Sequence, residues 1–189
     1  MKLGIFVGSF NPVHEGHIKV ANHLLDNHYV DKVLMLATPN YWNKQDLTNL
    51  KHRVNMLKFY EKDNLIIDDI HNKEQYTYQV LRKLKKDYPN DELYLIIGAD
   101  NIIKLDQWKN IDEILTSKII VVNRDNIDVY KYLEKFPKEQ FTIIPSFPNI
   151  QVSSTEIRNG NYKHLKPEVK EYIEKNNLYR GRLQWNNTK

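Results

Sequence analysis

No cysteine occurs anywhere in the 189 residues. That removes disulfides, thiolate catalysis and cysteine-based zinc sites together, and a reducing, cytoplasmic setting fits the absence. No apolar run approaches the ~20 residues of a membrane-spanning helix. The N-terminus carries one lysine and then a strand-like run, so a secretory signal is not expected. Repeats and low-complexity segments are missing as well. Charge of one sign is nearly balanced by the other: 28 Lys and Arg against 24 Asp and Glu leave a net +4. This excess suits phosphate-bearing ligands but is too small to indicate nucleic acid. The densest basic run, "RKLKK", is of a kind commonly solvated on a helix face. Neither a nucleic-acid nor a membrane partner is expected.

What is present is an ordinary globular composition, 41% hydrophobic and 28% charged. A chain of this length suits one domain and buries roughly 70% of its unfolded surface. Residues 1–180 are expected to form that domain, with 181–189 a polar, basic tail. Strand-like runs fall at 2–7, 32–37, 64–70, 92–97, 117–123 and 140–145. Helical patterns fall at 17–27, 48–60, 77–88, 110–115, 154–159 and 167–176. Continuous apolar strands separated by helices predict βαβ units in an α/β fold, a Rossmann-like doubly wound parallel sheet with helices on both faces. Ligands of such sheets sit beyond the carboxyl ends of the strands. Those ends here carry "GSFNPVHEGH", "TPNYWNK", "GADN" and "VNRD".

The first of these segments is the most informative. In "FVGSFNPVHEGHIKVA" a strand stops at Gly8, a turn follows, and a helix opens around two histidines. A zinc reading fails on spacing: His14 and His17 lie three apart with Gly16 between them, and no third ligand is near. The alternative of plain capping or surface histidines stays open on this stretch alone. A phosphate reading explains more. Gly8 and Ser9 would bring backbone amides to a ligand, Pro12 would stiffen the turn, and the helix would direct its N-terminal N–H groups there. His14 and His17 would donate to phosphate oxygens, and imidazole donates while neutral. Gly16 would leave room for the ligand. Far along the chain, Ser153, Ser154 and Thr155 in "VSSTEIR" fit a helix cap with hydroxyls for an anion, and Arg158 lies one turn on, suited to fork onto phosphate. A capped helix with a solvated arginine is the plain alternative there.

Gly-Ser-Phe-Asn-Pro followed by His14-x-Gly-His17, together with "VSSTEIR", resembles the paired signatures of the HxGH-type nucleotidyltransferases. Further matches are "HRVNML", "YTYQVLRKLKKDYPNDELYLIIGAD", "QW", "VVNRD" and "YIEKNNLY". They extend over nearly the whole chain, and the likeness is closest to the bacterial nicotinate mononucleotide adenylyltransferases. The resemblance implies transfer of AMP from ATP to a pyridine mononucleotide, with Mg²⁺ carried mainly by the substrate phosphates and no protein metal cage. It implies His17 at the α-phosphate, His14 at the flanking phosphates, and Ser154 and Arg158 at the leaving pyrophosphate. Phe10 falls on the ATP side, and Arg124 matches a position near the adenine pocket. On the acceptor side it implies Tyr76 and Thr77 amides at the pyridine carboxylate, Trp108 stacked on the ring, and Gly98 with Asp100 at a ribose hydroxyl. A helix cap is the plainer reading of Asp100, and a core residue that of Trp108. Asn11 or Lys44 would meet the acceptor phosphate.

One departure bears on specificity. The nicotinate enzymes carry a Pro-Pro-His-Lys-like loop after the second strand, whereas this chain has "ATPNYWNKQDL", nearer to the nicotinamide mononucleotide enzymes. A nicotinamide or dual-specificity enzyme is thus the alternative. More remote ones are a phosphopantetheine adenylyltransferase and a non-catalytic nucleotide- or RNA-binding module. A homo-oligomer is compatible with the family.

Overall fold

A computed structural model describes residues 1–39, 47–123, 127–145 and 152–179. The elements run β1 (Lys2–Gly8), α1 (Glu15–Asp26), β2 (Lys32–Ala37), α2 (Leu50–Lys58), β3 (Leu65–Ile67), α3 (Thr77–Asp87), β4 (Glu92–Gly98), α4 (Ala99–Ile102), α5 (Ile111–Ile114), β5 (Lys118–Val122), α6 (Val129–Leu133), β6 (Phe141–Ile144), α7 (Ser154–Arg158) and α8 (Pro167–Lys175). The strands form one six-stranded sheet in the order β3-β2-β1-β4-β5-β6. All five pairings are parallel.

Strand alternation divides the interior into two cores. On one face Val33, Met35, Ile96, Ile120 and Val122 meet Val20, Ala21 and Leu24 of α1, Val54 and Leu57 of α2, Ile157 of α7 and Ile173 of α8. On the other Leu3, Ile5, Leu34, Leu95, Ile119 and Val121 meet Leu81 and Leu84 of α3, Ile114 of α5 and Leu133 of α6. Both faces of every central strand are therefore apolar, as a doubly wound parallel sheet requires. The chain moves outward in one direction through β1, β2 and β3, then returns beside β1 as β4 and moves the other way. This reversal opens a crevice between the carboxyl ends of β1 and β4, at Gly8 and Gly98.

The sequence expectations place the sheet correctly and err at its margins. The third strand stops at Ile67 rather than Ile70. Asp68 Oδ1 there accepts from the Ile70 and His71 amides, both at 2.9 Å, so the chain turns instead of pairing. Helix α1 starts at Glu15, not residue 17, because His14 is its N-cap. Asn49 caps α2, accepting from Lys51 N at 2.9 Å, and shortens the helix expected over 48–60. Helices α4 and α6 were not foreseen; each is a short turn after a strand, below the length at which periodicity reads. The expected tail at 181–189 lies outside the described residues.

Candidate active site

A cleft of about 440 Å³ lies over the reversal point. Gly8, Ser9, Phe10 and His17 line it from the β1 side. Gly98, Asp100 and Trp108 line it from the β4 side, with Thr77 at one end. Eight residues singled out from the sequence thus share one cavity.

The loop between β1 and α1 is folded around its own aromatic. Phe10 has φ 43°, a left-handed conformation that bulky residues rarely adopt. This turns its ring inward beneath the strand end. A side chain at Gly8 would put Cβ 2.9 Å from Phe10 Cζ. The glycine is therefore needed by Phe10, and the amide approach expected of it is a secondary consequence. The Phe10 ring meets His17 edge-on, centroids 5.0 Å apart. On the other side the His14 and His17 rings stack at 3.7 Å. The His14 amide donates to His17 Nδ1 at 3.3 Å. A neutral His17 with an accepting Nδ1 carries its proton on Nε2, which makes Nε2 a donor.

Two expectations change here. His14 is only 2% exposed and does not line the cleft; it supports the His17 ring from behind. Gly16 does not leave space for a ligand: a Cβ there would lie 3.0 Å from both His14 Nδ1 and Val152 Cγ1. It allows the two signature segments to touch.

That contact continues through hydrogen bonds. Ser154 Oγ donates to Pro12 O at 2.9 Å, and Arg158 Nη1 donates to Asn11 O at 2.7 Å. Arg158 Nη2 reaches Thr155 Oγ1 at 3.0 Å. Ser153 caps α7 in a reciprocal box with Glu156, whose carboxyl the Ser153 amide and hydroxyl hold below its usual range. Residues about 140 apart in sequence are thus joined at one loop. Asn11 is 4% exposed, and its Oδ1 accepts from Thr48 N at 3.2 Å and Tyr179 Oη at 2.9 Å. Its amide oxygen braces the loop, and Asn11 is not among the residues that line the cleft. Lys44, the other candidate to meet the acceptor phosphate, and Arg124 lie outside the described residues.

Beyond β4, a Cβ at Gly98 would lie 2.4 Å from Asp100 Oδ1, so the Asp100 carboxylate folds back over the strand end into space that a side chain there would take. Trp108 is half-buried and borders both the main cleft and a second cavity of about 370 Å³ beside Tyr76 and Thr77. The Tyr76 amide donates to Gln79 Oε1 at 3.0 Å. It is therefore committed to capping α3, which corrects the part in carboxylate recognition expected of it.

Two supporting residues fall within matched segments, "HRVNML" and "YIEKNNLY", to which the sequence assigned no role. Arg53 is 0% exposed, and burial lowers its pKa. Its Nη1 donates to Ser9 O at 2.7 Å and its Nε to Thr48 O at 2.8 Å. The available signal was an arginine three from Leu50 and four from Leu57, on the apolar stripe of its helix. Tyr179, whose hydroxyl burial pushes to about 12, closes the same network. Among the described residues no group of three or more His, Asp or Glu side chains is placed to hold a metal ion, and no helix is long and apolar enough to cross a membrane.

Comparison with known proteins was made on this geometry. Residues 5–160 match the family model described as cytidylyltransferase-like. A nicotinate-nucleotide adenylyltransferase of Bacillus subtilis is 34% identical over 193 residues, covering 94% of this chain and 98% of that protein. A probable nicotinate-nucleotide adenylyltransferase of Clostridium tetani is 34% identical over 95% of this chain and 99% of its own length. Among solved structures, the Plasmodium falciparum nicotinic acid mononucleotide adenylyltransferase complexed with NaAD aligns with a TM-score of 0.78. Its identity is 25%, and the alignment covers 94% of this chain and 97% of that one. The same enzyme complexed with APC aligns at 0.75.

Proposed function

Because the chain belongs to the nicotinate-nucleotide adenylyltransferases of the cytidylyltransferase-like family, we infer that it transfers the AMP moiety of ATP to nicotinate mononucleotide. The products are nicotinate adenine dinucleotide and pyrophosphate, a step of NAD biosynthesis. The observation that carries this reading is that the two signature segments are joined at the β1–α1 loop, whose Gly8, Ser9 and Phe10 line the cleft on the switch point of the sheet. A cytoplasmic setting is part of the same proposal.

In this reaction a phosphate oxygen of the mononucleotide attacks the α-phosphorus of ATP. The new P–O bond forms as the bond to the β-phosphate bridging oxygen breaks, and pyrophosphate leaves. The nucleophile is already anionic, so the protein need not supply a covalent nucleophile or a strong base; positioning and charge stabilisation suffice. His17 would offer Nε2–H to the developing charge on the α-phosphate. His14 behind it fixes the ring and its tautomer. Gly8, Ser9 and Phe10 shape the wall next to it. Ser153, Ser154, Thr155 and Arg158 would face the phosphates that leave, held beside the loop by the Pro12 and Asn11 carbonyls. Thr77, Gly98, Asp100 and Trp108 would receive the mononucleotide. Magnesium would enter with ATP, borne by phosphate oxygens and water.

The test is pyrophosphate release with ATP and Mg²⁺, offering nicotinate and nicotinamide mononucleotides side by side. Turnover with strong preference for the acid is expected. Preference for the amide would move the specificity to the "TPNYWNK" loop, and inactivity on both would return the acceptor to unknown.

A further inference from the structure

The second cavity opens off the main cleft where Thr77 and Trp108 border both. A ring stacked on Trp108 would lie where the two cavities adjoin. Among the described residues lining it, Lys109 is the only charged one; the others are amides, a hydroxyl, aromatics and Ile114. Lys109 is an exposed residue whose ammonium lies over a ring. Lys109 Nζ lies 4.5 Å from the centroid of the Tyr76 ring, within cation–π range. Tyr76 in turn stacks on Tyr78, centroids 6.0 Å apart, and Tyr78 is a buried residue of α3. One cation is thus held at the mouth of a cavity that contains no compensating carboxylate among its described lining.

We propose that Lys109 is a specificity determinant that favours a pyridine mononucleotide bearing an anionic ring substituent over the neutral amide. The proposal rests on the pyridine-nucleotide reading above and adds to it the residue that reads the substituent's charge. An ammonium attracts a carboxylate by a full charge–charge interaction, while a carboxamide offers only its dipole. At an exposed site this attraction is modest and screened by salt. It acts chiefly on binding, because the substituent's charge does not change during the reaction.

The experiment compares wild type, Lys109→Met and Lys109→Arg in kcat/KM for nicotinate and nicotinamide mononucleotides, at low and at raised ionic strength. Methionine keeps the apolar stem over Tyr76 and removes the charge. The expected result is a fall of about 3- to 5-fold in the acid-to-amide ratio of kcat/KM for Lys109→Met at low salt, mostly through KM of the acid. Lys109→Arg should keep the ratio within about 2-fold, since it retains the charge. The gap between wild type and Lys109→Met should narrow as salt rises. A melting curve for each variant guards against loss of fold. A wild type that turns over the acid, with the ratio unmoved in Lys109→Met, overturns this proposal alone. A wild type inactive on both mononucleotides overturns the parent reading and this one with it.

Discussion

At the scale of single residues, the site depends on side chains that hold one another rather than on isolated donors. His17 is gripped by Phe10 at its edge and His14 on its face. His17→Ala should lower kcat by about 100-fold or more with the melting temperature nearly unchanged, the scale of losing one oxyanion donor; near-normal turnover would remove it from the mechanism. Trp108→Ala should mainly raise KM for the mononucleotide, because stacking holds ground state and transition state alike. An unchanged KM with a lowered melting temperature would make it a packing residue. Arg53 belongs to a different class. Its guanidinium binds the Ser9 and Thr48 carbonyls from a fully buried position. Arg53→Met leaves those carbonyls unsatisfied and should cost about 2–4 kcal/mol of stability in urea denaturation.

At the scale of elements, the buried His71 and Asp68 of the segment between β3 and α3 form an ion cluster with the exposed Asp87 of α3. His71 is 5% exposed, with Nδ1 2.6 Å from Asp68 Oδ2 and Nε2 2.8 Å from Asp87 Oδ2. Burial pulls the imidazole pKa down, but the hydrogen bonds to Asp87 and Asp68 outweigh it, and the net shift is upward from 6.5. A group whose folded pKa is raised stabilises most below its unfolded value and loses that contribution as pH rises through the folded one. The melting temperature of wild type minus that of His71→Gln should therefore be largest below pH 6.5 and shrink as pH increases. A gap independent of pH would mean that the imidazolium contributes nothing through its charge. The cluster ties the start of the segment to the last turn of α3, whose first turn faces the cleft at Thr77.

At the scale of the whole molecule, segments far apart in the chain meet at the β1–α1 loop. Ser154, Arg158 and Tyr179 all reach it from the C-terminal third. A ligand that spans this junction should stabilise the domain as one unit. A non-hydrolysable ATP analogue with Mg²⁺, at 100 times its Kd, contributes about 2.7 kcal/mol, or roughly 5–10 °C in melting temperature for a domain of this size. No shift at saturating analogue would contradict an ATP site here. The sheet was legible from the sequence because a strand buried on both faces needs an unbroken apolar run, as in "KVLMLA" and "ELYLII". The placing of Gly8, His17, Gly98 and Asp100 was legible too, because strand ends in such a fold converge on one edge. The rest depended on contacts between residues far apart in the chain. Nothing local says that Asn11 is consumed by Thr48 and Tyr179, that Gly16 is filled by His14 and Val152, or that Arg53 points inward. The sequence by itself determined the fold class, the edge at which the cleft opens and the reaction family, since those follow from periodicity and motif. Only the tertiary structure decided which polar groups line the cleft and which hold the loop, because a hydrogen-bonding side chain serves whichever partner the packed chain brings within about 3 Å.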